Sequence, residues 1–504
     1  MNKPKNKKTA TKIIENILFQ GFSGMVSKIG SLIFTIIVAR ILFPKMFGIY
    51  SLALTIIIIL ITISDMGFGG SIILFLAESI GHKKKKQARS RFWFLLKLKF
   101  AIAIIFSAGL FLSAGIIATL FKKPDLIIPL KIGSFYLLVN SLYGIINPIF
   151  LSVQKLKYSA MSELIFQLSR IGLIMFFFFL LKLPSNVQSI FLFMVLSAVV
   201  AIIFAAGVLV KKYPFLVSGK TEPVERRRML KFSSIIALSA LGILIFTNID
   251  KIVLGFYLEA EFIGFYAAIM TVVSGVMGII GISAVFFPIF IQLEGNRLKN
   301  AFKKSFHYIA LVTFPVSIGL AFVILPMLKI LYGVSYVPPQ YEFALAITST
   351  LLSLLILESI FSGFYKLLFD AKEKPHVPAY INITTSIANI ILNIIFITYL
   401  IKIDLALGLV GAALATFITR FGGLVTLVVL SKRRLGISPN ISSVIKPLIA
   451  SLIMLGYLFL FTKLFSLNIL MGVFMILSAG ILYLLIIFLI KGIDLEELRN
   501  LIDK

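Results

Sequence analysis

From about residue 15 to residue 491 the chain is a succession of long apolar runs separated by short polar breaks. A run of roughly 20 apolar residues, each rising about 1.5 Å, crosses a bilayer as a helix. A membrane barrel would instead show segments of about ten residues with alternating polarity. The pattern therefore predicts an all-α, polytopic membrane protein. Fourteen helices are expected, at 15–39, 48–78, 92–119, 126–152, 159–182, 187–211, 231–253, 262–292, 304–328, 341–369, 378–401, 407–431, 442–464 and 468–491. The first run carries no small-residue cleavage site and is read as a retained helix.

Two of the polar breaks are worded alike. "ARILFPKMFGIYSL" (Ala39–Leu52) and "GFYLEAEFIGFYAA" (Gly255–Ala268) each place a Gly-x-Tyr after a short polar turn. Gly48-Ile49-Tyr50 and Gly264-Phe265-Tyr266 lie 216 residues apart. Glu78 and Glu294, at the ends of helices two and eight, keep the same spacing. Helices one to six and seven to twelve thus form two repeats. Six crossings return the chain to its starting side, so the repeats are parallel. In transporters that symmetry places the substrate path between the halves, near the bilayer midplane. The expected organisation is a basic tail (1–14), an N-lobe (15–212), a basic linker (213–230), a C-lobe (231–432), helices thirteen and fourteen (440–493) and a second tail (494–504).

Composition agrees with this class. Hydrophobic residues make up 60% of the chain and the mean hydropathy is +1.06, more than a soluble core needs. The 49 Lys and Arg against 20 Asp and Glu would suggest nucleic acid in a soluble protein. Here no nucleic-acid partner is expected, because the basic residues gather in alternate loops. About 34 lie on one side and about 10 on the other, which places that side and both termini in the cytoplasm. The absence of cysteine excludes disulfides, thiolate metal sites and cysteine nucleophiles. His82, His307 and His376 fall in separate loops, so no metal site and no cofactor are expected.

Ionisable residues deep in membrane helices are costly and point to function. Counting from each helix start puts Lys28, Arg170 and Arg420 near mid-membrane. Asp65, Glu163 and Glu358 fall nearer the cytoplasmic side, and Arg40, Asp250 and Lys251 at the outer ends of helices one and seven. Several belong to polar stripes with helical spacing: Gln20, Gly24, Ser27/Lys28, Ser31 and Thr35; Glu163, Gln167 and Arg170; Asn382, Ser386, Asn389 and Asn393. Such stripes face protein or water, not lipid. They either line a polar path or join helices, with Glu163 and Arg170 meeting through Gln167 and the asparagines bonding between helices. Gly67, Gly69 and Gly70 loosen helix two after Asp65. Ser218-Gly219-Lys220-Thr221 looks like the end of a P-loop but lacks the preceding glycine and strand, so no nucleotide site is read there.

"ARILFPKMFGIYSLALTIIIILITISDMGFG" resembles the first-to-second helix segment of prokaryotic polysaccharide-export proteins. These are oligosaccharide flippases in the superfamily that also holds the lipid II flippase and the multidrug and toxin extrusion exporters. "NIDKIVLGFYLEAEFIGFYAA" resembles their seventh and eighth helices, and "LGLVGAALATFITRFGGLV" their twelfth. The resemblance implies two six-helix lobes in a V around a central cavity, with two further helices behind. It implies alternating access, in the plasma membrane, for a lipid-linked glycan. Lys28, Arg170 and Arg420 are the cations expected to meet its diphosphate, and Asn389 and Asn393 the amides for its sugars. Asp65, Glu163, Glu358, Arg40, Asp250 and Lys251 are candidates for coupling or gating. Lys28 as the one mid-helix cation of helix one sets the chain apart from the Arg-rich cavity of the lipid II flippase. The expected partners are membrane lipid and glycosyltransferases or a polymerase of the same pathway, around a monomer. Flipping makes no bond, so no enzyme activity is expected. The competing reading is a cation-coupled multidrug exporter of the same superfamily. Short outer loops argue against a membrane polymerase or ligase.

Overall fold

A computed structural model describes residues 3–280, 286–439, 442–465 and 469–492. Side chains are described for all of these except 3–14, 17, 238–248, 279–280, 288 and 469. The predicted tail 494–504 and the side chains of the basic tail lie outside the described residues. The helices are α1 (Lys3–Asp65), α2 (Phe68–Gly81), α3 (Lys85–Leu120), α4 (Ile127–Tyr143), α5 (Ile146–Ser152), α6 (Leu156–Ile174), α7 (Val187–Lys212), α8 (Pro214–Val217), α9 (Arg226–Tyr257), α10 (Ala260–Ile280), α11 (Phe287–Gln292), α12 (Gly295–Tyr332), α13 (Glu342–Ala371), α14 (His376–Leu400), α15 (Leu407–Leu435), α16 (Ser442–Leu464) and α17 (Ile469–Leu489). No strand occurs among the described residues.

Among the described residues, twelve segments are long and apolar enough to cross a membrane. The first, Leu18–Gly81, has 64 residues and holds two helices; α9, with 32 residues, lies outside the twelve. Fourteen crossings is therefore an approximate count. The predicted loop between helices one and two shrinks to a single residue. Phe43 leaves the helix (φ 55°, ψ 169°) because Pro44 crowds the residue before it. Pro44 then opens the next helix, where its missing N–H has no partner to lose. Predicted helix two is broken at Met66 (φ 41°) and Gly67 (φ 71°). Gly67 is needed twice over: a Cβ there would lie 2.4 Å from the Ser233 carbonyl oxygen. Predicted helix four divides at Gly144–Ile145 into α4 and α5. Helix five ends in a π-helical turn, Met175–Leu180.

The contacts gather into two compact units, Met1–Ala267 and Ala268–Lys504. The division falls after the linker, so α9 packs with the first six predicted helices. In the first unit Phe68, Phe75, Phe92, Phe150, Leu216 and Met229 share a core at the basic end of the helices. The second unit has an aromatic core of Phe290, Phe302, Phe306, Phe361, Phe364 and Tyr365. There α16 and α17 pack on α12 through Met454, Leu458, Met475 and Tyr483. The end of α17 is tied down by polar bonds. His307 Nε2 lies 2.6 Å from the Gly492 carbonyl and Lys446 Nζ donates to Lys491 O at 2.8 Å.

Candidate functional site

The polar stripe of helix one divides along its length. Gln20 and Lys28 are exposed, and nothing lies within 4 Å of where a Cβ on Gly21 or Gly24 would stand. Further along, the stripe meets α6. Gly30 allows Gln167 to approach, since a Cβ there would be 2.6 Å from Gln167 Oε1. Gln167 then joins two charges. Its Nε2 donates to Glu163 at 2.6 Å, and its Oε1 accepts from Arg170. Arg170 also donates to Ser31 Oγ at 2.9 Å, and its guanidinium stacks 4.3 Å from Phe34 and 5.0 Å from Phe166. Tyr143 completes the chain by donating to Glu163 at 2.6 Å. Arg170 is thus a buried cation held by the wall behind the stripe, while Lys28 stands on its open face.

Asp65 pairs with Lys99 of α3, a lysine only 1% exposed whose place near the helix start gives no sign of burial in the sequence. Arg91, a loop charge by sequence, lies within α3. It is buried, donates to Phe75 O (3.1 Å) and Ser79 Oγ (2.8 Å), and pairs with Glu78 (3.1 Å) and Glu225 (2.7 Å). The hydrogen bond from Arg91 holds the Glu225 carboxyl below its ordinary pKa, against a smaller opposing effect of desolvation.

At the opposite end the repeated breaks meet. A Cβ on Gly48 would lie 1.7 Å from Ala260 O, and one on Gly264 would lie 2.1 Å from Pro44 O. Tyr50 and Tyr266 are both buried; Tyr266 donates to Asp250 at 2.7 Å. Lys123, after α3, donates to Gly255 O at 2.7 Å. Burial lowers its pKa, and Glu259 partly opposes this. Arg40 is exposed, and Lys251 is half-buried beside Asp250.

In the second unit Arg420 and Glu358 form an ion pair at 3.7 Å, and Ser362 donates to Glu358 at 2.5 Å. Lys366 and Asp370 lie in electrostatic range of the same group. Lys366 sits two turns from Glu358 on α13, a spacing that could have flagged it. Asn389 and Asn393 are buried; Asn389 donates to Thr416 (3.0 Å) and Thr419 (3.2 Å) of α15. An apolar cavity of about 500 Å³ is lined by Pro315, Gly319, Met454, Ala479, Gly480 and Tyr483 among others.

These features define an all-α, multi-pass membrane protein, and its fold is like that of MurJ and MATE structures. A structure of the lipid II flippase MurJ, in an inward closed conformation, matches with a TM-score of 0.73 at 19% identity. That match covers 93% of this chain and 98% of the other. An inward-facing multidrug resistance MATE family transporter matches at 0.63 and 15% identity, over 83% of this chain and 99% of the other. A MOP superfamily transporter from Pyrococcus furiosus, described as having a binding pocket of reversed polarity, matches at 0.52 and 14% identity, over 84% and 94%. No protein of curated function matches in sequence. The model of the polysaccharide biosynthesis protein family matches residues 13–294, and the chain belongs to that family.

Proposed function

We infer that the protein is a flippase for lipid-linked oligosaccharides, moving them from the cytoplasmic to the outer leaflet by alternating access. The observation that carries this reading is the exposed polar face of helix one, Gln20 to Lys28, on a membrane-spanning helix of a polysaccharide-biosynthesis protein. A polar face in a membrane must meet water or a polar cargo. A diphosphate-linked glycan is such a cargo: its charges and hydroxyls lose water in hydrocarbon and need replacement partners. Lys28 supplies a flexible point charge for phosphate. Arg170 braces the stripe through Ser31 and adds buried positive charge. In the second unit, Arg420 and Lys366, beside Glu358, are cations of a kind that suits an anionic cargo. The apolar cavity beside α12, α16 and α17 has the character an isoprenoid tail needs. Asn389 and Asn393, bonded within their helix pair, contribute to the wall before they contribute to sugar contacts.

A cation-coupled drug exporter would rely on accessible carboxylates. Glu163 and Glu358 are already engaged by Gln167 and Tyr143, and by Arg420 and Ser362, which favours the anionic cargo. The test is reconstitution in liposomes with a fluorescent lipid-linked sugar, read by leaflet accessibility. Movement of the sugar lipid above protein-free vesicles is expected. Its absence, with a cationic drug moved instead, would reverse the choice.

A further inference from the structure

We propose that Lys83–Lys86 and the linker docked beside them form a binding site for the phosphate headgroup of an anionic membrane lipid. The four lysines occupy the turn between α2 and the start of α3, and all are exposed. Lys83 takes a left-handed conformation (φ 59°), which closes the turn. With Gln87 and Glu222 the four side chains surround a cavity of about 540 Å³.

The segments that carry this lining are held in a built structure. Arg89, itself buried, donates to Lys220 O at 2.7 Å. Gly219 lies against the Arg89 guanidinium, where a Cβ would stand 2.4 Å from Nη1, and its φ of 118° suits glycine alone. The Glu222 N–H donates to Ser90 Oγ at 2.6 Å, Trp93 Nε1 donates to Val217 O at 3.1 Å, and Leu216 is fully buried. The linker segment that resembles part of a P-loop is thus pinned just before Glu222, the linker residue that lines the cavity.

Charge accounting selects the ligand. Two other acids of this region, Glu78 and Glu225, are held by Arg91 and Arg228. Among the described residues, none of the four lysines has an ion-pair partner, and Glu222 is the one acid lining the cavity. Four positive charges facing one negative require anions. The site lies where the spans Leu18–Gly81 and Lys85–Leu120 meet, which is headgroup depth. Lysines at that depth attract anionic lipid. Their ammonium groups engage phosphate as point charges rather than as planar forks. This inference stands apart from the flippase reading and does not depend on it.

Trp93 is the sole tryptophan and touches the linker, so its fluorescence reports on the site. The full chain in neutral detergent is titrated with dioctanoyl phosphatidylglycerol, dioctanoyl phosphatidylcholine or inorganic phosphate. A saturable, salt-sensitive response to phosphatidylglycerol alone is expected. The quadruple variant Lys83→Gln, Lys84→Gln, Lys85→Gln, Lys86→Gln should lose at least about tenfold in apparent affinity. Its unfolding temperature without lipid should match that of the parent. Lys211→Gln/Lys212→Gln, at the nearby end of α7, should lose about twofold or less. An unchanged affinity in the quadruple variant, or an equal response to phosphatidylcholine, overturns the site. An equal response to inorganic phosphate overturns the assignment to lipid. An equal loss in the α7 variant reduces the effect to general surface charge and overturns it as well.

Discussion

Gly48 and Gly264 contact each other's turns reciprocally: Gly48 abuts the carbonyl of Ala260, and Gly264 abuts the carbonyl of Pro44. Pro44 and Ala260 keep the same 216-residue spacing as the glycines. Even one methyl group at either position overlaps backbone, which cannot swing aside as a side chain can. Gly48→Ala and Gly264→Ala are therefore expected to push the turns apart without unfolding the helices. Spin labels at Lys45 and Glu261 should show a longer distance population in either variant. Distances identical to those of the parent would show that the contact is not closed in the membrane.

Lys28 is expected to matter through its charge. Opposite charges about 4 Å apart interact by about 4 kcal/mol at an effective dielectric near 20. Losing one member of a desolvated pair costs roughly 2–5 kcal/mol of binding. Lys28→Ala should thus reduce sugar-lipid flipping by about thirtyfold or more at limiting substrate, while Lys28→Arg keeps part of it. Protein in the membrane is quantified first for each variant. Normal flipping by a well-expressed Lys28→Ala protein would end the role.

The Asp65–Lys99 pair makes a stability prediction. Lys99 is almost wholly buried, whereas the Asp65 side chain is 40% exposed. Asp65→Asn strands the buried ammonium, but solvent at the aspartate softens the loss to roughly 1–3 kcal/mol. The double variant Asp65→Asn/Lys99→Met should recover much of it, because no buried charge remains. Thermal unfolding of the four proteins in detergent gives the coupling. A double variant less stable than Asp65→Asn would contradict this account.

Docking of the linker should depend on acid. Glu225 has its pKa lowered in the folded protein by the Arg91 hydrogen bond. A carboxylate of that kind contributes stability above its ordinary range, on the order of pH 4, and loses it as pH falls through the lowered value. The chain has no native cysteine, so a cysteine in place of the buried Leu216 reports when the linker lifts. Labelling should be slow at neutral pH and accelerate only in acid. Glu225→Gln should label faster at neutral pH and respond less to acid. Labelling of the Leu216→Cys protein that is as fast at pH 7 as in acid would argue against the latch.

Periodicity and repetition carried much of the fold. Apolar run length predicts the crossings, and the doubled Gly-x-Tyr marks the two turns that meet. Other features depend on partners remote in sequence. Helix three begins at Lys85 rather than residue 92, so Arg89 and Arg91 read as loop charge although both are buried. Their burial follows from the linker, with Glu225 134 residues after Arg91. Lys99 stands near the start of the predicted helix, where a lysine normally reaches for water; Asp65 across the bundle holds it instead. The link from Glu163 through Gln167 to Arg170 was readable because all three lie on one face of one helix.

The two-glycine contact has the form of an isologous dimer patch, in which residue i meets j and j meets i. One polypeptide here carries both copies of a self-complementary surface. A side chain added on one repeat strikes the backbone of the other, so neither repeat can restore the fit by changing its own glycine partner alone. The two turns are therefore bound to diverge together, and any drift toward asymmetry must be taken up elsewhere in the helices.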